Sequence, residues 1–277
     1  MSVHSADAPS SPSLRPAAVA GMFYPGDAAG LAEMVDRMLA AAEETAGRID
    51  RAAPKAIIAP HAGYIYSGAL AAAAHAQFKP DADKIERIVL LGPCHRVPVR
   101  GLATTSRAGW ETPLGRVPIA RSKLEGLADL KQVVVSDPAH AQEHSLEVHL
   151  PFLQRLLPHG FTLVPFAVGQ ASAVEVASVL ERLWGGPETR IVISTDLSHF
   201  LDYETARALD RQTAEAIERF DWPALKREQA CGRTPVSGLL DLAQRKRLKI
   251  ERLGLCSSGD TKGPKDRVVG YGAWRLD

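Results

Sequence analysis

The sequence predicts an α/β fold, a single domain with a central mixed, largely parallel sheet flanked by helices. Two apolar runs, at 55–59 and 87–91, enclose an alanine-rich segment at 68–77 with helical character. This strand, helix, strand order with short loops is typical of a βαβ unit, whose two strands run parallel. A third apolar run follows at 190–195. Hydrophobic residues make up 45% of the 277 positions, enough for one substantial core.

The other elements follow from periodicity and turn residues along the chain. Residues 1–14 are rich in serine, proline and alanine, which predicts a disordered tail ahead of a domain over 15–277. No repeat of fixed period and no clear linker divides that domain. We predict helices at 27–46, 142–157, 171–184 and 203–219, and a further helix that follows 231–235 and ends near 245. We also predict a turn or hairpin at 110–115 and strands at 162–168, 248–255 and 267–276.

Charge and cysteine content restrict the class of protein. The formal net charge of +1 gives no electrostatic reason to expect nucleic acid or an anionic membrane as a partner. Three scattered cysteines are too few for a disulfide framework and fit a reducing compartment. The start of the chain lacks the features of a signal peptide, and no apolar run is long enough to span a membrane. We therefore expect a cytoplasmic protein.

Each of the three apolar runs is followed by a histidine. His61 follows the first, His95 the second and His199 the third. The carboxyl ends of parallel strands meet at one edge of a sheet, which is where α/β proteins bind ligands. We expect His61 and His95 to lie together there as two ligands of a catalytic metal ion.

The residues alone leave the third ligand open. Cys231 stands just before a predicted helix, a position that favours the thiolate that binds metal. Asp196 or Glu147 would instead complete a site of two histidines and one carboxylate, typical of non-haem iron oxygenases.

The stretch from His144 to His149 resembles a zinc-protease motif only superficially. On an ideal helix His144 and Glu147 share a face, whereas His149 points away, so a protease-type zinc pair is not expected. We interpret His144 and Glu147 as pocket residues that orient ligands or substrate. An exposed helix start, with Glu143 near the N-terminus, explains the same residues equally well.

Further polar residues near the strand ends have two interpretations. We predict that His199 is a general acid/base held by Asp196, although Asp196 could simply cap a helix. Tyr64 lines the pocket or packs beneath it. We predict surface or solvated positions for the remaining histidines, His4, His75, His140 and His159.

Five motifs, in order, resemble the Memo family, named after the mediator of ErbB2-driven cell motility and including component B of the prokaryotic AmmeMemoRadiSam system. They are PHAGY (60–64), GPCH (92–95), EHSLEVHLPF (143–152), STDLSH (194–199) and CGRTPV (231–236). The segment RPAAVAGMFYPGD (15–27) fits as well. The resemblance runs from about residue 15 to the end of the chain.

The resemblance implies a fold similar to the class III extradiol dioxygenases, which hold one iron ion. It implies His61, His95 and Cys231 as metal ligands, and it places Asp196 and His199 where those enzymes have their acid/base. It also implies pocket positions for His144 and Glu147. Cys94 departs from the serine or asparagine common in the family, so a second thiol is expected near the metal or in a disulfide with Cys231.

The leading hypothesis is a mononuclear metal protein that carries iron(II), with copper as the alternative, and performs redox or dioxygenase-like chemistry on an unidentified small molecule. Two hypotheses from other classes use the same pocket. One is a metal-free cysteine hydrolase with Cys231 as nucleophile. The other is a module that binds a peptide or protein, with AmmeMemoRadiSam partners implied by the resemblance.

Overall fold

The computed structural model describes residues 13–46 and 51–277. It confirms a single-domain α/β architecture in which helices flank a mixed central sheet. In chain order the elements are β1 (Leu14–Arg15), α1 (Ala28–Ala46), β2 (Ala56–Ala59), α2 (Tyr64–His75), β3 (Arg87–Pro93), β4 (Leu102–Thr104), β5 (Gly109–Thr112), β6 (Gly115–Pro118), α3 (Arg121–Glu125), β7 (Val133–Val135), α4 (Asp137–Ala141), α5 (Leu150–Leu156), β8 (Thr162–Val168), α6 (Ala173–Arg182), β9 (Thr189–Ser194), β10 (His199–Leu201), α7 (Tyr203–Glu218), α8 (Arg233–Arg245), β11 (Ile250–Ser257) and β12 (Val268–Leu276).

Among the described residues the central sheet has nine strands, in the order β10-β12-β2-β9-β3-β8-β4-β7, with β11 also paired to β12. Its middle, β2-β9-β3-β8, is parallel, as the βαβ pattern predicts. β12 joins β2 in the antiparallel direction, and β4 joins β8 likewise. Every residue of β2 and β9 is buried, because helices cover both faces of the sheet and the strands have no solvated side.

β1, β5 and β6 form a second, smaller sheet that packs against the central one. β5 and β6 form the hairpin expected near 110–115, and Gly115 takes the positive φ of 113° that its turn requires. β1 pairs in parallel with β5 through Leu14 and Arg15. The ordered domain therefore begins at least one residue earlier than predicted, and residues 1–12 of the predicted tail lie outside the described part of the chain.

The predicted helix at 142–157 begins much later than expected. Residues 143–146 are not helical, Glu147–His149 form one 3₁₀ turn, and α5 starts only at Leu150. Two local causes oppose a continuous helix. The Glu143 carboxylate accepts the backbone N–H groups of His144 and Ser145, which competes with helical hydrogen bonding. Pro151 also has no N–H to donate to the carbonyl of Glu147.

The histidines predicted to be solvated divide into two groups. His159 is exposed, as predicted, whereas His75 and His140 are almost completely buried, which corrects the prediction for both. His75 is the last residue of α2, and its ring stacks on Phe152 and lies beside the ring of His149 in an apolar layer between α2 and α5. His4 lies outside the described residues. Within residues 13–46 and 51–277, no helix combines the length and apolar character needed to cross a membrane.

Candidate metal centre

Three neighbouring strands carry the predicted site residues to one edge of the sheet. β9 lies between β2 and β3, and Ser194 at its end is in register with Ala59 of β2. His61 follows β2 and His95 follows β3, and the centroids of their rings are 5.4 Å apart. The prediction that these two histidines meet is confirmed.

Cys231 completes a compact group with the two histidines. One ligand atom from each of His61, His95 and Cys231 lies within 4.8 Å of the others. The Cys231 Sγ is 3.4 Å from His61 Nε2. The loop before α8 is fastened to the end of β9, because the Cys231 N–H donates to the carbonyl of Asp196 at 3.2 Å. Of the three third ligands considered, the thiol is the one in this group.

A hydrogen bond relay fixes the protonation of His61. The Ser194 hydroxyl donates to the carbonyl of Ser145 at 2.6 Å, so its oxygen is free to accept. It lies 2.6 Å from His61 Nδ1 and therefore accepts the proton of that nitrogen. The unprotonated Nε2 of His61 is left facing Cys231.

His95 is oriented by a carboxylate. Its Nδ1 lies 2.9 Å from Glu143 Oε1, and its backbone N–H donates to Glu143 Oε2 at 2.5 Å. Burial alone would raise the pKa of Glu143, but hydrogen bonds from the ring and the backbone of His95 and from the backbone of Ser145 lower it to about 2. The carboxylate is therefore ionised and holds the proton on Nδ1, which leaves His95 Nε2 free as a ligand.

The thiol of Cys231 is not activated by its position. Burial, together with the nearby Asp196, raises its pKa to about 12, which corrects the expectation that the start of the helix favours the thiolate. A neutral thiol is a poor nucleophile. A bound cation would remove this penalty, since metal ligands bind in their deprotonated form. Two unprotonated imidazole nitrogens and one buried sulfur thus form a donor set that fits a transition-metal ion.

Asp196 and His199 lie beside this group but do not form the predicted pair. Asp196 Oδ1 accepts the backbone N–H of His61 at 2.8 Å, and its Oδ2 lies 3.9 Å from His61 Nε2. Burial raises the pKa of Asp196 to about 7. His199 Nδ1 instead bonds the carbonyl of Leu197 at 2.8 Å, so a backbone group and not Asp196 orients this ring.

Of the residues predicted to line the pocket, only His144 faces the centre. Its ring stacks on His95 at 4.8 Å and lies 5.5 Å from His61. Glu147 is fully buried, and its carboxylate binds Arg15 at 2.6 Å and the hydroxyl of Tyr24 at 2.5 Å. The Tyr64 hydroxyl donates to the carbonyl of Val148, so this tyrosine packs beneath the site.

Cys94 is also directed away from the centre. Its thiol donates to the carbonyl of Val97 at 3.1 Å, and all three cysteines are free, which corrects the expectation of a disulfide with Cys231.

Two residues important for this geometry escaped sequence reasoning. Glu143 was placed at an exposed helix start, yet it is 1% exposed and contacts His95 directly. Ser194 was counted only as part of the apolar run at 190–195 and of the STDLSH motif, with no role of its own. No periodic signal marks either residue, because each acts through tertiary contacts with a histidine distant in sequence.

Comparisons with known proteins agree with the order of the motifs. The family model described as Memo-like protein matches residues 15–275. A MEMO1 family protein of Methanosarcina mazei is 34% identical over 275 residues, covering 94% of this chain and 98% of its own length. A MEMO1 family protein of Aquifex aeolicus is 35% identical, with 93% and 97% covered. One from Nitrosopumilus maritimus is 30% identical, with 94% and 98% covered. The chain therefore belongs to the Memo family.

Proposed function

We propose that this protein binds a single transition-metal ion through His61 Nε2, His95 Nε2 and Cys231 Sγ. One observation carries the proposal: these residues present ligand atoms within 4.8 Å of one another, and both histidines have their other nitrogen occupied by a hydrogen bond. Metal-binding histidines are typically held in this way, because a partner on one nitrogen fixes the tautomer and the direction of the other.

Iron(II) is the ion we propose, because the resemblance to the class III extradiol dioxygenases, which hold one iron ion, favours it, and copper is the alternative. Imidazole suits both metals, and a thiolate favours copper in its reduced state. Three protein ligands would leave coordination positions open for a small molecule or dioxygen. When bound, such an ion would supply redox chemistry of the dioxygenase type to an unidentified small-molecule substrate.

The surrounding residues would bind and orient the substrate and move protons. His199 is partly exposed beside the centre, and burial lowers its pKa, so near neutral pH its Nε2 is free to accept a proton. Asp196 has a pKa of about 7 and can therefore hold or release a proton at the same pH. The ring of His144, stacked on His95, closes one side of the site.

The metal-free cysteine hydrolase receives less support from the geometry. Such an enzyme needs a thiolate in the resting state, whereas burial raises the pKa of Cys231 to about 12. The His61 Nε2 lies 3.4 Å from its sulfur, and the Nδ1 of that ring donates to Ser194. This orientation of the ring would serve a metal ligand as well as a general base, so it does not favour the hydrolase. No specific contact favours the peptide-binding module.

Metal content measured by elemental mass spectrometry tests the proposal. The protein is purified without oxygen and without a nickel column, then incubated with iron(II) or copper. We expect about one ion per chain in the unaltered protein and a loss of that ion in both His61→Ala and Cys231→Ala. His159→Ala is the control, because His159 is exposed and pairs only with Asp83 among the described residues.

The outcome separates the hypotheses. Absence of metal from the unaltered protein, even after incubation with excess iron(II) and copper, would refute the metal centre. Oxygen uptake by the loaded protein in the presence of a panel of catechols and thiols then tests the redox part of the proposal.

A further inference from the structure

Both candidate metal-binding histidines are held by the same short segment of the chain. His95 Nδ1 bonds the carboxylate of Glu143 directly, and His61 Nδ1 reaches the carbonyl of Ser145 through the hydroxyl of Ser194. We propose that residues 143–145 form a positioning clamp for the two imidazoles and that Glu143 is its central residue. This inference rests on the proposed metal function and assigns the residues that prepare the site.

Glu143 is suited to this role because its carboxylate is saturated with donors. Oε2 accepts the backbone N–H of His95, while Oε1 accepts the N–H groups of His144 and Ser145 at 2.9 Å and the ring proton of His95. The residue is 1% exposed, so these charge-assisted bonds are not exchanged for bonds to water. One side chain thus fixes the backbone and the ring of His95 together with the turn that carries His144.

The second arm of the clamp passes through two serines. The Ser145 hydroxyl donates to the carbonyl of Pro93 at 2.8 Å, which ties the segment to the end of β3. The carbonyl of Ser145 accepts from Ser194 at the end of β9. Gly92 makes this approach feasible, because a Cβ at that position would lie 3.0 Å from the Ser145 hydroxyl and 3.1 Å from the Ser194 Cβ.

The two arms differ in chemistry. His95 donates to an ionised carboxylate, which raises the electron density on its Nε2, whereas His61 donates to a neutral hydroxyl. Charge-assisted hydrogen bonds are roughly twice as strong as neutral ones. We therefore expect metal affinity to depend more on Glu143 than on Ser194.

His95, Glu143 and His144 also present ligand atoms within 4.8 Å of one another. Both carboxylate oxygens of Glu143 already accept N–H groups, so we do not assign a second metal site to this triplet. We infer instead that Glu143 orients His95 as a ligand of the single proposed ion. A stoichiometry of two ions per chain, with the second lost on Glu143→Gln, would overturn that assignment.

Glu147 supplies a matched control for Glu143. Both glutamates are buried in the same segment, and each accepts several N–H donors. The partners of Glu147 are Arg15, the backbone at Ala18 and Val19, and Tyr24, none of which is hydrogen-bonded to His61, His95 or Cys231. Arg15 also donates to the backbone carbonyl of Glu143 at 2.6 Å, but not to its carboxylate. Glu147→Gln therefore reports the general cost of changing a buried carboxylate here.

The experiment measures cobalt(II) affinity by competition with a coloured chelator in the full-length protein. For Glu143→Gln we expect the dissociation constant to rise by about 10-fold to 100-fold, as for other partners of metal-binding histidines. Ser194→Ala should raise it less, and Glu147→Gln should change it by less than about 3-fold. Equal effects of Glu143→Gln and Glu147→Gln would refute the clamp.

Nitrogen NMR of the metal-free protein provides a second readout that does not depend on metal. In the unaltered protein both His61 and His95 should carry their proton on Nδ1. Glu143→Gln should shift His95 toward the other tautomer and leave His61 unchanged. If His95 carries its proton on Nε2 in the unaltered protein, the clamp is wrong, whereas correct tautomers in a chain that binds no ion would refute the metal function alone.

A folding failure of Glu143→Gln would transfer the test to Glu143→Asp. Aspartate keeps the charge but is shorter by one methylene, so it can serve the turn at His144 and Ser145 while losing the ring of His95. We expect a rise in the cobalt(II) dissociation constant of at least about 3-fold with a normal fold. An unchanged affinity in the folded Glu143→Asp protein would count against the clamp.

Discussion

At the scale of single residues, Gly232 decides how closely Cys231 can approach the histidines. A Cβ at this position would lie 2.4 Å from the carbonyl oxygen of Ser194 and 2.6 Å from the Cβ of Thr195. The Ser194 carbonyl is fixed within β9 and cannot move away, so the loop that carries Cys231 and Gly232 would have to shift. We predict that Gly232→Ala destabilises the protein by about 1–3 kcal/mol, the usual cost of overpacking, and weakens metal binding by displacing the thiol.

Urea unfolding and cobalt(II) titration check this prediction together. Gly126→Ala is the control, because its nearest contacts would be at 3.5 Å and its helix lies outside the metal centre. A Gly232→Ala protein with normal stability and normal affinity would show that the close approach is not required.

The residue scale also shows what the sequence could predict of the site. His61, His95 and His199 each follow a buried strand, so their approach follows from the topology alone. Cys231 was one of three candidates until the family motifs favoured it. Glu143 could not be identified in that way, since its role depends on a side-chain bond to His95 that no local pattern encodes.

At the scale of elements, Glu147 attaches the start of the domain to the segment before α5. Its carboxylate accepts from the Arg15 guanidinium, from the backbone N–H groups of Ala18 and Val19, and from the Tyr24 hydroxyl. Arg15 belongs to β1, so this carboxylate helps to join the small sheet to the rest of the domain. Removing it leaves a buried cation without its counter-charge and three other donors without their acceptor.

We predict that Glu147→Ala lowers the free energy of unfolding by about 3–5 kcal/mol, the range for breaking one partner out of a buried ion pair. Urea unfolding measures the loss, and limited proteolysis should find new cleavage between residues 14 and 24. Glu111→Ala, on the exposed side of β5, should change stability by less than about 0.5 kcal/mol. A loss below 1 kcal/mol for Glu147→Ala would mean that water replaces these contacts.

The segment that carries Glu147 shows why the helix prediction failed there. Apolar spacing over 142–157 favours a helix, and α5 does form over its second half. The first half contains Glu143, whose carboxylate satisfies the N–H groups of His144 and Ser145 in a turn. Periodicity describes which residues are buried but does not reveal competition from a side chain for backbone donors.

At the scale of the whole molecule, the parallel middle of the central sheet was predictable because β2, β3, β8 and β9 read as short, largely apolar runs. The two strands after α8 were located correctly, but the antiparallel pairing of β11 with β12 and of β12 with β2 could not be inferred from composition. The fold also buries several histidines, and their burial makes the stability of the protein depend on pH.

Among the described residues, burial lowers the pKa of five histidines strongly in the metal-free protein, besides the smaller lowering at His199. His75, His140 and His144 fall to about 4, and His61 and His149 fall well below the ordinary value of 6.5. Between these values the unfolded chain binds protons that the folded chain does not, so stability falls as the pH falls from about 6.5 to about 4. Each histidine contributes a loss of roughly 2 kcal/mol between pH 7 and pH 5.

Two carboxyl groups act in the opposite direction. Burial raises the pKa of Asp196 to about 7 and that of Asp210 to about 6, so below these values the folded chain is the one that binds protons. Their contribution to stability therefore grows as the pH falls toward 4. Five histidines outweigh two carboxyl groups, and the metal-free protein should be less stable at pH 5 than at pH 7.

His149→Leu isolates one part of this effect. Neither ring nitrogen of His149 has a hydrogen-bond partner among the described residues, and the ring lies in an apolar layer beside His75. An apolar side chain of similar size should change the stability at pH 7 by less than about 1 kcal/mol. At pH 5 the variant should be more stable than the unaltered protein by about 2 kcal/mol, because it no longer excludes a proton on folding. Urea unfolding of the metal-free proteins at pH 7 and pH 5 measures both differences in stability. The exposed His159→Ala is the control. Parallel pH profiles for His149→Leu and the unaltered protein would show that His149 is protonated, or bonded to water, in the native state.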